Sequence, residues 1–136
     1  MLKLGGILNI IIAIAHILGL FWAKQMFYAT GVGKDMEELA NINNSLPYLL
    51  TIFVAIIFFI FGLYALSANG NFRKLPYLKL GIYSIAGIYI FRGIGEMLFH
   101  TITEISKTSE TIQSLIALLI GALYLFGGLK KWRTKN

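Results

Sequence analysis

The sequence contains no cysteine, only two prolines and few charged residues. The absence of cysteine excludes disulfides, thiolate nucleophiles and thiolate metal sites. Charged residues make up 13% of the 136 residues, against roughly 25% in ordinary soluble domains, while 57% of the residues are hydrophobic. A soluble domain of this length has too little interior to bury so many apolar side chains. We therefore expect lipid to surround most of the chain.

The sequence contains long apolar runs with few or no charged residues. Three uncharged stretches cover residues 4–23, 39–72 and 111–129. A fourth stretch, at about residues 78–102, is apolar apart from Lys79, Arg92 and Glu96. A helix needs about 20 apolar residues to cross a hydrocarbon core, and the lack of water there forces the backbone into helices.

The runs therefore predict an all-α fold, a bundle of four transmembrane helices that forms a single domain over residues 1–136. The predicted spans are at about residues 4–23, 46–68, 77–102 and 112–130. We also expect a short surface helix in the first outer loop, at about residues 34–40. β-Strands of about ten alternating residues, which a membrane barrel requires, are absent from the sequence.

The basic residues are distributed unevenly between the two sides of this arrangement. One side carries no acid and these basic residues: Lys3, Arg73, Lys74, Lys79, Lys130, Lys131, Arg133 and Lys135. The other side carries more acids than bases, namely Lys24, Lys34, Lys107, Asp35, Glu37, Glu38, Glu104 and Glu110. The positive-inside rule then predicts that both termini are cytoplasmic. The net charge of +6 is interpreted as a topology signal, with the lipid bilayer and no nucleic acid as partner.

The candidate site is a set of ionisable residues at membrane depth. Arg92, Glu96 and His100 stand at i, i+4 and i+8, so a helix places them along one face. His16, in the first span, is expected at a similar depth. Exposing a guanidinium to lipid costs at least about 2.5–3.5 kcal/mol, so Arg92 is expected to face the bundle interior and pair with Glu96. We predict that all four residues meet in the outer half of the bundle.

Three interpretations of these residues remain open at the sequence level. The Arg92–Glu96 pair is either a neutral brace between helices, or part of a polar pocket in which Arg92 holds an anionic or carbonyl group, or Arg92 extends outward to the interface. Glu96, His100 and His16 match a catalytic zinc ligand set in kind. The neighbouring Arg92 would repel the ion, so neither a metal nor a cofactor is predicted.

Small and polar residues within the spans indicate how the helices pack. The pairs Ala15 and Gly19, and Ala117 and Gly121, are spaced for close helix contact. Interhelical hydrogen bonds are expected from the polar residues within the spans, which are Asn9, Thr51, Ser84, Gln113 and Ser114. Outer-interface anchors are expected at Phe21, Trp22, Phe27, Tyr28 and Tyr48.

The stretch from residue 27 to residue 95 resembles a group of small, mostly uncharacterised bacterial four-helix membrane proteins. The residues that carry the resemblance are Tyr28, Gly31-Val32-Gly33, Met36, Ala40, Gly62-Leu63-Tyr64-Ala65-Leu66-Ser67, Gly70, Arg73, Leu75-Pro76 and Tyr89-Ile90-Phe91-Arg92-Gly93. In span number and size the chain is also similar to the DoxX-like class. The resemblance implies a multi-pass protein of the bacterial cytoplasmic (inner) membrane, and it brings no activity.

The function expected from these features is the binding or movement of a small amphipathic or lipid-like molecule in an outward-facing pocket. One alternative is a structural or accessory subunit that acts through helix association, as a homo-oligomer or with a larger membrane partner. A further alternative is a membrane enzyme or redox subunit acting on lipid or quinone. Of these functions, we favour one without enzymatic activity.

Overall fold

A computed structural model describes residues 1–104 and 108–133 of the chain. Lys107 and Lys135, which contribute to the charge count above, lie outside the described residues. The helices are α1 (Leu2–Gly19), α2 (Ala23–Ala29), α3 (Gly33–Ile42), α4 (Leu46–Asn69), α5 (Leu78–Thr103) and α6 (Thr108–Arg133). A 3₁₀ turn, Leu20–Trp22, joins α1 and α2 into one segment, Leu2–Ala29.

Among the described residues, four helical segments are long and apolar enough to cross a membrane: Leu2–Ala29, α4, α5 and α6. This confirms the predicted all-α fold with four spans, and α3 is the short helix expected in the first loop. Large apolar side chains cover the outside of the bundle, as with Phe91 on α5 and Phe53 on α4, which suits contact with lipid. The orientation stays a prediction, and we call the end that carries α3 the outer end.

The bundle consists of two tightly packed helix pairs, α1 with α4 and α5 with α6, which contact each other less extensively. Glycines permit the close approach within each pair. A Cβ atom on Gly6 would lie 3.0 Å from the carbonyl oxygen of Gly62, and a Cβ on Gly62 would lie 2.9 Å from that of Gly6. In the second pair, a Cβ on Gly121 would lie 3.2 Å from the backbone nitrogen of Ile90.

The first span changes its winding near its outer end, and this overturns one packing prediction. Trp22 leaves helical geometry, with φ of −125° and ψ of 43°. The side chain of Met26 then reaches back so far that a Cβ on Gly19 would lie 2.0 Å from its sulfur atom. The space beside Gly19 is therefore filled by a side chain of its own span and not by a neighbouring helix. Ala15 is exposed. The Ala15–Gly19 pair is not a helix–helix contact.

A buried polar cluster joins all four spans at mid-depth. Asn9 of α1 donates to the hydroxyl of Tyr124 on α6 at 3.0 Å and accepts from the hydroxyl of Tyr89 on α5. The Tyr124 hydroxyl donates in turn to the carbonyl oxygen of Phe61 on α4, at 2.7 Å. Asn9 and Tyr124 are fully buried. We refer to these four residues as the Asn9 cluster, and it confirms that Asn9 makes interhelical hydrogen bonds.

Candidate functional site

A cavity of about 490 Å³ lies between the two helix pairs in the outer half of the bundle. This volume falls within the range of about 300–1,000 Å³ that is usual for small-molecule sites. Most of its wall is apolar, with contributions from Ile12, Met26, Phe27, Leu50, Val54, Phe58, Ile116, Ala117 and Ile120. The polar groups of the wall are His16, Thr30, Thr51, Tyr89, Arg92 and Gln113. An apolar chamber with a few polar groups suits an amphipathic ligand.

The outer wall of the cavity is formed by the end of α2 and by α3, through Val32 and Met36. The turn between these helices uses Gly31, whose φ of +86° is a conformation that side chains with a Cβ rarely adopt. The Nε2 of Gln113 on α6 donates to the carbonyl oxygen of Thr30 at 2.9 Å, which ties this turn to the second helix pair. Tyr28 donates to Glu37 and holds α3 against α2.

The inner end of the cavity is closed by the Asn9 cluster. Tyr89 belongs to both, because its ring lines the cavity while its hydroxyl is bound by Asn9. The ring of Tyr89 also lies against those of Phe58 and Phe61, with centroids 6.4 Å and 6.1 Å away. The cavity is therefore a pocket that ends at mid-depth, below which the four spans are packed together.

Arg92 is the basic side chain in the cavity wall. Its ion pair with Glu96 is long, with 4.0 Å between Arg92 Nε and Glu96 Oε2, and 53% of its side chain is exposed. Both residues lie on α5, so any link from this pair to another helix depends on a further partner of Glu96. The guanidinium therefore keeps donors directed at space that a ligand can occupy.

Glu96 forms the interhelical contact instead. Its Oε2 accepts a hydrogen bond of 2.8 Å from Ser114 on α6. The Ser114 hydroxyl is fully buried and has a competing acceptor, the carbonyl oxygen of Glu110, at 3.0 Å. Its single hydrogen serves one acceptor at a time, and a carboxylate is the stronger one. Ser114 thus directs the carboxylate of Glu96 toward α6 and away from the cavity, whose lining does not include it.

The two histidines have different positions. His16 lines the cavity, where its Nδ1 lies 2.8 Å from the carbonyl oxygen of Ile12 and its ring lies 5.2 Å from that of Phe58. His100 lies nearer the outer end, where its Nε2 is 3.2 Å from Oε2 of Glu110 on α6. The structure therefore brings Arg92 and His16 to one cavity, places Glu96 beside Arg92, and pairs His100 with Glu110.

No family model, curated protein or solved structure matches the chain. The likeness to small bacterial four-helix proteins and to the DoxX-like class therefore stays a prediction. Within residues 1–104 and 108–133, no three histidine, aspartate or glutamate side chains lie close enough together to hold a metal ion. Of the zinc set considered from sequence, His16 lines the cavity, Glu96 accepts from Ser114 and His100 is paired with Glu110, so each side chain has a different environment.

Sequence reasoning missed two residues of the site. Phe27 was expected as an interface anchor, but it is buried, at 7% exposure, and it lines the cavity. The change of winding at Trp22 turns it inward, and the apolar sequence carries no sign of that change. Tyr89 was noted only within the resemblance. Its spacing of three residues from Arg92 puts both on neighbouring parts of one helix face, and this was the available signal.

Proposed function

We propose that this protein binds a small amphipathic molecule in the outer cavity, with the apolar part of the ligand between the helix pairs. Arg92 holds the anionic or carbonyl group of the ligand, and His16 is a second polar contact. In the predicted orientation, the site faces the outer side of a bacterial cytoplasmic membrane. Movement of the ligand across the membrane would require the Asn9 cluster to open, so the proposal is limited to binding.

The observation that carries this proposal is one basic side chain in a largely apolar cavity of ligand size. Charged groups within the membrane are costly and are typical of ligand pathways and sites. A purely structural Arg92 would be expected to lie packed against its carboxylate, whereas the ion pair here is 4.0 Å long and the side chain is half exposed. A ligand with an acidic or carbonyl group would complete its hydrogen bonds.

Filling the cavity with a larger side chain should strongly weaken ligand binding. Val54 on α4 lines the cavity, while its neighbour Phe53 is 60% exposed on the outside of the bundle. We expect Val54→Trp to lower the affinity for 12,12,12-trifluorododecanoate by at least about tenfold, because the indole takes the place of the chain of the ligand. The bound and lipid-dissolved populations are measured by ¹⁹F NMR in phosphatidylcholine nanodiscs. Phe53→Trp is the matched control and should bind like the parent, and equal binding by both variants would contradict the proposal.

Ser114→Ala should weaken the binding of an acid without affecting that of an alcohol. Loss of the hydroxyl releases the carboxylate of Glu96, which then approaches Arg92 and competes with the ligand. We expect about threefold to tenfold lower affinity for trifluorododecanoate, in line with the net contribution of about 0.5–1.5 kcal/mol from one hydrogen bond, and an unchanged affinity for trifluorododecanol. Glu96→Gln removes the competing charge and should act in the opposite direction. An acid affinity unaffected by both changes would show that Glu96 does not regulate Arg92.

The two alternatives considered from sequence receive less support. An enzyme that used Glu96 or His100 as its acid or base would need that side chain at the ligand, but Glu96 is turned toward Ser114 and His100 toward Glu110. His16 is then the histidine that the cavity wall offers. An accessory subunit would present small residues to a partner. Gly6, Gly62 and Gly121 are used within the bundle itself, and Gly87 and Gly95 on α5 are exposed glycines that such a partner could contact. Both alternatives stay predictions.

A further inference from the structure

The two helix pairs are joined unevenly along the side where α4 faces α5. At the inner end of this side, Gly81 of α5 lies so close to α4 that a Cβ would be 2.5 Å from the ring of Tyr64. At mid-depth, the rings of Phe61 and Tyr89 are 6.1 Å apart. The two helices are therefore in contact from the inner end up to the closed end of the cavity.

Above that level the same side is open. Two residues that line the cavity there are also exposed, namely Leu50 on α4, at 38%, and the side chain of Arg92 on α5, at 53%. Thr51 is the next residue of α4 and also lines the cavity. It lies on the side of α4 that faces α1, and it is only 6% exposed. A residue that is part of a cavity wall and is exposed as well marks a place where that wall is incomplete.

The opposite side, between α1 and α6, is incomplete too, but it is bridged. Ile116 on α6 lines the cavity and is 44% exposed. Near it, the hydrogen bond from Gln113 to the Thr30 carbonyl oxygen joins the two helix pairs. On the α4/α5 side the charge of Arg92 stands at the opening itself. That side therefore offers both a gap and a group that attracts the head of an acidic ligand.

The depth of this opening indicates where the ligand comes from. Arg92 is 11 residues from the end of α5 at Thr103, which places its backbone about 16 Å below the outer end of the helix. The 26 residues of α5 span about 39 Å, so a helix centred in a hydrocarbon core of about 30 Å extends about 4–5 Å beyond each side. Arg92 then lies about 12 Å inside the outer leaflet, whose hydrocarbon is about 15 Å deep. The opening therefore faces acyl chains and not water, and a ligand reaches it while dissolved in the membrane.

We infer that the ligand is a single-chain acid dissolved in the outer leaflet, and that it enters the cavity sideways between α4 and α5, past Leu50, to reach Arg92. This inference rests on the proposed function and extends it, since it names the ligand class and the route. The outer turn and α3 then serve as a fixed cover, held by Gln113 and Tyr28, and not as the entrance.

A removable obstruction at the opening tests the route. The chain has no cysteine, so Leu50→Cys can be modified selectively with benzyl methanethiosulfonate in nanodiscs. The rate at which 12,12,12-trifluorododecanoate exchanges between lipid and protein is measured by ¹⁹F exchange spectroscopy before and after modification. An obstructed route slows entry and exit alike, so we expect exchange to fall by at least about fivefold, and by a larger factor than the bound population at equilibrium.

Matched variants separate the possible results. The same modification of Phe53→Cys, on the lipid-facing surface, should leave exchange unchanged. Modification of Ile116→Cys, in the cavity wall at the opposite opening, should slow exchange less than that of Leu50→Cys. Slower exchange with Ile116→Cys and not with Leu50→Cys would overturn the inferred route. So would a Leu50→Cys adduct that reduces the bound population without slowing exchange. If the unmodified protein shows no bound ¹⁹F signal at all, the proposed function fails, which is distinct from failure of the route.

Discussion

Replacing Arg92 with glutamine should remove the preference of the cavity for an acid over the matching alcohol. In the parent protein, we expect trifluorododecanoate to bind at least about tenfold more tightly than trifluorododecanol. Hydrogen bonds to a charged group contribute about 1.5–3 kcal/mol, and each 1.4 kcal/mol is about tenfold in affinity. Glutamine keeps some hydrogen-bonding capacity but no charge. Both affinities are obtained from bound ¹⁹F populations in nanodiscs.

Two further variants separate the charge of Arg92 from its shape. Arg92→Lys keeps the charge and loses the planar fork that binds a carboxylate with two hydrogen bonds, so it should retain part of the preference. Arg92→Gln should leave the affinity for the alcohol within about twofold, because the apolar wall is unchanged. A preference for the acid that survives Arg92→Gln would exclude Arg92 as the group that holds the ligand.

The spans were predictable because their signal is local. Each span needs only a run of apolar residues of sufficient length. The charged residues Arg92 and Glu96 do not prevent α5 from meeting this requirement. The turns were predictable in the same way. Gly31 and Gly70 fall in the expected connections and both adopt positive φ, +86° and +87°, which is the conformation that glycine accepts at a helix end.

The candidate site was only partly predictable because its partners come from other helices. The spacing of Arg92 and Glu96 predicts their proximity within α5. It does not show that Ser114, at another point of the chain, binds the carboxylate of Glu96. His100 continues the same spacing, yet Glu110 at the start of α6 is near enough to pair with it. The residues that share one helix face can be inferred from a single sequence. A competing partner on another helix can be identified only when the packing of the helices is known.

The same distinction applies to the Asn9 cluster. A buried amide in a span requires hydrogen bonds, so a role for Asn9 was expected. Its partners were not, because Tyr89 and Tyr124 resemble the many other aromatic residues of the spans. Their hydroxyls become important only where three helices converge on the amide. Ser84, predicted to act like Asn9, is exposed instead, since its face of α5 points away from the bundle.

Replacing Asn9 with leucine should destabilise the bundle more than any other single polar change within the spans. The amide makes hydrogen bonds to Tyr89 and Tyr124, and interhelical bonds of this kind contribute about 0.6 kcal/mol on average and up to about 1.7. The two tyrosine hydroxyls would also lose a partner in a site that excludes water, at a cost of about 1–3 kcal/mol. We expect the free energy of unfolding to fall by about 2–3 kcal/mol, measured by titration with sodium dodecyl sulfate in mixed micelles.

Two controls assign this loss to the cluster and not to the added apolar side chain. Ser84→Leu makes a similar change at an exposed position on α5 and should leave stability within about 0.5 kcal/mol. Tyr124→Phe removes the donor to the Phe61 carbonyl oxygen but keeps the bond between Asn9 and Tyr89, so it should cost about 1 kcal/mol. A stability equal to that of Ser84→Leu would show that the four spans are held by packing alone.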